Sequence, residues 1–191
     1  MDIGKMINLA INILLKPKQT LQEISHKSMP RNDIIIYLAM IGFPGLICFI
    51  LGYSFVIWYG GFYAASIAGG FVYYIVAIIG IIIFGYIINE LAPTFKSQQN
   101  QAQAFKLVAC VATPWLLAGV FYLLPTAGFL SILAAIYGLY IMYLGLPILM
   151  GTPEDQVIPY MIISAVIFIV IAAVIGYISG VIFWAAAPGI T

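Results

Sequence analysis

Few residues in this sequence could carry out chemistry. His26 is the single histidine, and it stands ahead of the long apolar runs that hold or border Ser54, Ser66, Ser131, Ser164 and Ser179. A serine nucleophile needs its base within hydrogen-bond reach, so this placement excludes a Ser-His pair inside a bilayer. The sequence has no His-Glu-x-x-His zinc pattern, no aspartate pair in its apolar runs, and no Gly-x-Gly-x-x-Gly or phosphate-loop pattern. Cys48 and Cys110 form no Cys-x-x-Cys unit and read as small packing residues. The expectation is a chain that is not an enzyme, with no catalytic residue, no metal and no cofactor.

The polar site that topology leaves unexplained is Asn89-Glu90, at the end of an apolar run and just before Leu91-Ala92-Pro93. A carboxylate at that boundary is costly unless it reaches water or a cation, and Lys106, at the start of the next run, is the candidate partner. Two readings of Asn89, Glu90 and Lys106 follow. Either an interfacial ion pair fixes two helix ends, or these residues form a binding or proton-access site.

The elements that must position these groups follow from composition. Of 191 residues, 64% are hydrophobic and 7% charged. A soluble domain is about 25% charged, so this chain is an integral membrane protein. The formal charge of +1 excludes a basic nucleic-acid binder. There are 56 uncharged residues between Asp33 and Glu90, 47 between Lys106 and Glu154, and 36 after Asp155. A crossing helix takes about 20 residues, so these runs hold two, two and one spans. The predicted spans are 34–58, 69–91, 105–124, 129–150 and 157–184. The runs are continuously apolar without an alternating polar face, so the fold class is an all-α polytopic bundle rather than a barrel. Turns are expected at Tyr59-Gly60-Gly61 with Gly69-Gly70, and at Pro125-Thr126-Ala127-Gly128.

With five spans, all seven Lys and Arg residues fall on one side, which the positive-inside rule makes cytoplasmic. The amino terminus is then cytoplasmic and the carboxyl terminus outside. Trp58, Tyr59, Phe62, Tyr63 and Trp184 suit an aromatic belt at the outer interface.

The chain divides into an interfacial amphipathic segment, 1–31, and a five-helix transmembrane domain, 32–191. In the first, Ile3, Met6, Ile7, Ala10, Ile11 and Leu14 recur at helical spacing, with Lys5, Asn8, Asn12 and Lys16 on the other face. Pro17 ends this helix, and Thr20-Leu21-Gln22-Glu23 fits a capping box for a second. Their basic residues would lie against anionic headgroups.

Within the spans, Pro44 and Pro114 each remove a backbone donor and are candidate kinks, with Thr113 offering a local hydroxyl. Gly176-x-x-x-Gly180 permits close helix packing, within this chain or with another.

The order of several short motifs resembles the Yip family, the Ypt- or Rab-interacting membrane proteins, and especially its short prokaryotic members. They are Leu14-Leu15-Lys16-Pro17 with Thr20-Leu21-Gln22-Glu23-Ile24; Glu90-Leu91-Ala92-Pro93-Thr94-Phe95; and Gln103-Ala104-Phe105-Lys106-Leu107 leading to Ala112-Thr113-Pro114. The resemblance implies a membrane scaffold or adaptor, since eukaryotic members associate with prenylated Rab-type GTPases and act in vesicle traffic. This sequence departs from them in lacking a long cytosolic amino-terminal domain and an Asp-Leu-Tyr-Gly-Pro segment, and in carrying Cys110 where tyrosine is frequent. Those departures weigh against GTPase binding. The expected partners are membrane lipids, and a membrane protein or a second copy of the chain. The alternative is a small oligomeric channel or carrier with a cytoplasm-facing site at Glu90.

Overall fold

The computed structural model describes residues 2–57 and 63–186. Among these there is no strand, and seven α-helices follow one another: α1 (Ile3–Leu15), α2 (Pro17–His26), α3 (Arg31–Leu51), α4 (Tyr63–Leu91), α5 (Gln101–Ala118), α6 (Ser131–Met150) and α7 (Glu154–Ala185). A π-helical stretch, Gly52–Ile57, continues α3, and 3-10 turns at Ala92–Phe95, Gly119–Leu123 and Pro125–Leu130 follow α4, extend α5 and lead into α6. Five helical stretches, built on α3 to α7, are long and apolar enough to cross a membrane. The chain is an integral membrane protein.

The observed helices begin earlier than some predicted spans because the polar first turns Gln101-Ala102-Gln103 and Glu154-Asp155-Gln156 are already helical. Apolar length marks what hydrocarbon demands, whereas capping marks where a helix begins. Asn100 caps α5 by accepting the Gln103 amide at 3.2 Å. Gly151, at φ +60°, ends α6 in the left-handed conformation that lacks a Cβ penalty. The turn expected at Pro125 to Gly128 is present as the 3-10 turn. Gly69 and Gly70, by contrast, lie inside α4, packed against Phe183 and Ile50. Tyr59-Gly60-Gly61, Trp58 and Phe62 lie outside the described residues, as does the side chain of Tyr63. Trp184 is half-exposed near the end of α7.

α5 is the centre of the bundle: 78% of its apolar stretch is buried, against 11% for α7, which is the most apolar of the five. In lipid the most apolar helix need not be the most buried, because hydrocarbon solvates it outside the protein. α5 packs mainly against α6, and α4 against α7. Close approach at one crossing depends on glycine, since a β-carbon on Gly119 would come within 2.8 Å of the Gly45 Cα. Deep in the core Tyr37, at 0% exposure, is hydrogen-bonded to Thr113 at 2.7 Å.

The amino-terminal helices share this core. Met6, Leu9, Ala10 and Ile13 of α1, and Leu21 and Ile24 of α2, are buried in the same cluster as α5 and α6. The predicted single apolar face of α1 is therefore two faces. Met6 and Ala10, with Leu9 and Ile13, press on the bundle, while Ile3, Ile7, Ile11 and Leu15 stay exposed at i+4 spacing. The predicted capping box is absent: α2 starts four residues earlier, with Pro17 at its first position, and Thr20 lies inside it, donating to the Lys16 carbonyl at 2.9 Å. Proline's fixed φ nucleates the first turn without a capping hydroxyl.

Candidate functional site

α2 docks on the start of α5 through its own carbonyl end. The last four carbonyls of a helix have no intrahelical donor. Two of these on α2 are taken by α5: Lys106 Nζ donates to the Ile24 oxygen at 3.0 Å, and Gln103 Nε2 to the Ser25 oxygen at 3.0 Å. Lys106 also donates to Gln103 Oε1 at 3.4 Å, which ties the two side chains together. A cation at a helix carboxyl end is favoured by the backbone dipoles as well. Lys106 is only 5% exposed, so the ammonium is held by oxygens in place of water.

This corrects the predicted pairing. Glu90 is exposed, and it accepts from Asn89 Nδ2 at 3.2 Å and Gln99 Nε2 at 3.4 Å. Lys106 turns instead to the Ile24 carbonyl of α2, because α2 covers its side of α5. Asn89 is 7% exposed, and its Oδ1 is buried without a hydrogen-bond partner among the described residues. The three predicted residues therefore form two local arrangements, Asn89 with Glu90 and Lys106 with α2. The costly charge at the apolar boundary is the lysine.

Two loops meet at the same end of the bundle. Gln98 N donates to the Met150 carbonyl at 2.8 Å, and Ser97 Oγ to Thr152 Oγ1 at 2.9 Å, both hydroxyls buried. Arg31 stands over the rings of Tyr86 and Phe105, 5.1 and 5.4 Å from their centroids, a cation–π arrangement at the foot of α3. Beside these contacts a polar cleft of about 520 Å³ opens between α1, α2 and the start of α3. Lys5, Asn8, Asn12, Glu23, Lys27 and Asp33 line it. Glu23 and Lys27 pair along its α2 wall at 3.4 Å, both well exposed, so that pair adds little stability. A second cavity, of about 230 Å³, lies among α4, α5, α6 and α7 and is lined by Phe84, Trp115, Met142 and Phe168, with Ser164 its one hydroxyl.

The remaining sequence candidates take structural places. α3 continues through Pro44 and α5 through Pro114. Thr113 donates to the Ala109 carbonyl at 2.8 Å, not to the Cys110 carbonyl that Pro114 leaves without its helical donor. Gly176 and Gly180 have nothing within 4 Å of a built β-carbon, so none of the described residues packs on them. Ser164 and Ser179 donate back to Tyr160 and Ile175 in their own helix, at 2.7 and 2.8 Å. His26, exposed at the end of α2, is near none of them in sequence or element.

The Yip1 domain matches residues 11–188, nearly the whole chain. The chain belongs to the Yip1 domain family. No curated protein and no solved structure matches it. The match takes in α2 as well as all five spans, and the motifs that carry the resemblance meet in space. Leu21 packs beside Leu107 and Gly145, and Ile24 and Ser25 receive Lys106 and Gln103. Phe95 of the Glu90-to-Phe95 motif stacks on Tyr160 of α7, centroids 4.5 Å apart, while the Tyr160 hydroxyl donates to the Ile88 carbonyl. In this Yip1 domain the signature segments are the seams between α2, α5 and the foot of α7.

The polar cleft was missed as a unit. Its α1 half was visible as Lys5, Asn8 and Asn12 at i+3 and i+4 spacing. The other half comes from α2 and the start of α3, and only the docking of α2 on α5 brings the halves together.

Proposed function

We propose that this Yip1-domain chain is a non-enzymatic integral membrane scaffold or adaptor, organising membrane lipids or partner proteins through a cytoplasmic face. The observation that carries the reading is how its cavities divide. The polar cleft opens at the charged end, where a headgroup or a partner's side chains would meet it, while the cavity among α4, α5, α6 and α7 is lined by apolar and aromatic side chains with Ser164 its one hydroxyl. A solute path needs polar groups at membrane depth, and Glu90, the candidate gate, is exposed at the end of α4. The positive-inside rule supports a cytoplasmic charged end, which carries Arg31, Lys96 and Lys106, and an external carboxyl terminus, in a membrane proposed to be prokaryotic. The partners are lipids, together with a membrane protein or a second copy of the chain.

Affinity capture of a stable membrane partner, with no ion or solute flux when the purified protein is placed in liposomes, is the expected result. Flux that Glu90→Gln abolishes would overturn this reading in favour of a small oligomeric channel or carrier.

A further inference from the structure

The turn between α1 and α2 lies well below the charged end of the bundle. Tyr137, thirteen residues before the end of α6, donates to the Leu14 carbonyl at 2.7 Å. Leu14 also shares a groove with Pro114, which is eight residues beyond Lys106 on α5, a rise of about 12 Å. The return limb is held higher up, where Leu21 packs beside Gly145 and Lys106 takes the Ile24 carbonyl. α1 and α2 are thus the two limbs of a re-entrant hairpin, with Lys16 and Lys18 at its tip.

Both lysines are exposed, and neither has an ion pair among the described residues. Residues 14–19 contain no carboxylate. The outer face of α1 is apolar, through exposed Ile3, Ile7, Ile11 and Leu15, while α2 exposes Gln19, Gln22 and Glu23. Two ammonium groups at this depth, with the apolar face of α1 on one side, call for an anion. Immediately beyond them a groove of about 440 Å³ begins at Leu14 and runs between α5 and α6 toward the opposite end, past Pro114, Tyr137, Leu117, Leu133 and Phe121. It contains no charged side chain.

We propose that the hairpin tip and this groove together bind one anionic glycerophospholipid, its phosphate between Lys16 and Lys18 and one acyl chain along the groove. The polarity is that of a lipid in the leaflet at the charged end: headgroup toward that end, chain toward the other. The site supplies the lipid side of the scaffold reading and rests on it for the identity of that leaflet.

The test uses the full chain in phosphatidylcholine vesicles, with spin-labelled phosphatidylglycerol and phosphatidylcholine compared for the fraction immobilised on the protein. A basic residue at the membrane surface favours anionic lipid by about fivefold, and charges held deeper are screened less, so two should give a preference of at least roughly 30-fold. Lys16→Gln with Lys18→Gln should abolish the preference and leave helicity unchanged. Ala134→Trp, which fills the groove from α6, should release the immobilised lipid whatever its headgroup. A preference that survives the double substitution, an absence of preference in the native chain, or an immobilised fraction indifferent to Ala134→Trp would each overturn the site. Capture and flux on the same double variant keep the two readings apart. Loss of the lipid site with partner capture intact leaves the scaffold reading standing, and flux ends that reading without touching the lipid result.

Discussion

Lys106→Met removes the ammonium and keeps much of the side-chain stem, so it isolates the tie between α5 and α2. In the native chain Nζ donates to the Ile24 oxygen at 3.0 Å from a site that is 5% exposed. A hydrogen bond to a charged group contributes about 1.5–3 kcal/mol. The Ile24 oxygen also accepts the Lys27 amide at 3.2 Å, so the substitution does not orphan it, and the lower end of that range applies. A local loss of about 1.5–2 kcal/mol corresponds to roughly 10- to 30-fold in the opening equilibrium of α2. Global stability should fall by less, because methionine no longer pays to dehydrate an ammonium. Hydrogen exchange on the intact protein in lipid is the assay: the amides of Leu21 to His26 should exchange roughly 10- to 30-fold faster in the variant, with those of α7 unchanged. Glu90→Gln should leave α2 untouched, and the two substitutions together should add within about 0.5 kcal/mol, as uncoupled sites do. Equal acceleration by Glu90→Gln would restore the Glu90–Lys106 ion pair and refute the assignment of Lys106 to α2.

Thr113→Val should destabilise more than Tyr37→Phe in denaturant titrations in detergent. The first strands a fully buried hydroxyl at about 1–3 kcal/mol, while the second leaves Thr113 its bond to Ala109 and costs about 1 kcal/mol; the reverse order would contradict the geometry. Gly119→Ala forces a methyl onto the backbone of α3 and should cost about 1–3 kcal/mol in the same titration, whereas Gly176→Ala, in open space, should cost less than about 0.5; equal costs would count against the Gly45–Gly119 crossing. Gly151→Ala should cost about 1 kcal/mol for the left-handed φ, with Gly151→Asn recovering part of it, and a neutral Gly151→Ala would mean that α6 ends differently. A reporter fused after Thr191 should read as external and one at the amino terminus as cytoplasmic, and matching locations would rule out an odd number of spans.

The five spans were legible because lipid imposes a length that composition alone can express. Which helix lies at the centre was not legible. α4, α6 and α7 are apolar all round, so their sequences carry no stripe separating protein-facing from lipid-facing positions. α1 shows the same ambiguity on a smaller scale, where Met6 and Ile7 are both apolar and only one of them is buried. Thr20 misled because a hydroxyl three residues before Glu23 satisfies the capping pattern, yet Pro17 had already started the helix. Asn89, Glu90 and Lys106 were found as boundary residues, but which charge becomes buried depends on α2, whose docking involves residues some 80 positions away from α5 in sequence.

That docking bears on what the Yip1 signature segments do. Leu21, Ile24 and Ser25 on one side, and Gln103, Lys106 and Leu107 on the other, make a seam of two side-chain-to-backbone bonds and one apolar contact. Bonds to backbone carbonyls constrain the position of α2 without demanding a particular side chain from it, so each motif is loose when taken alone and informative only in order. The seam fixes the return limb of the hairpin, and the return limb fixes how deep Lys16 and Lys18 stand. A weakened seam should therefore be felt at the tip: if Lys106→Met frees α2, the preference for anionic lipid should weaken with it, although Lys106 lies about 12 Å from the tip. An undiminished preference in a variant whose α2 exchanges faster would separate the tip from the seam and leave the signature segments a packing role alone.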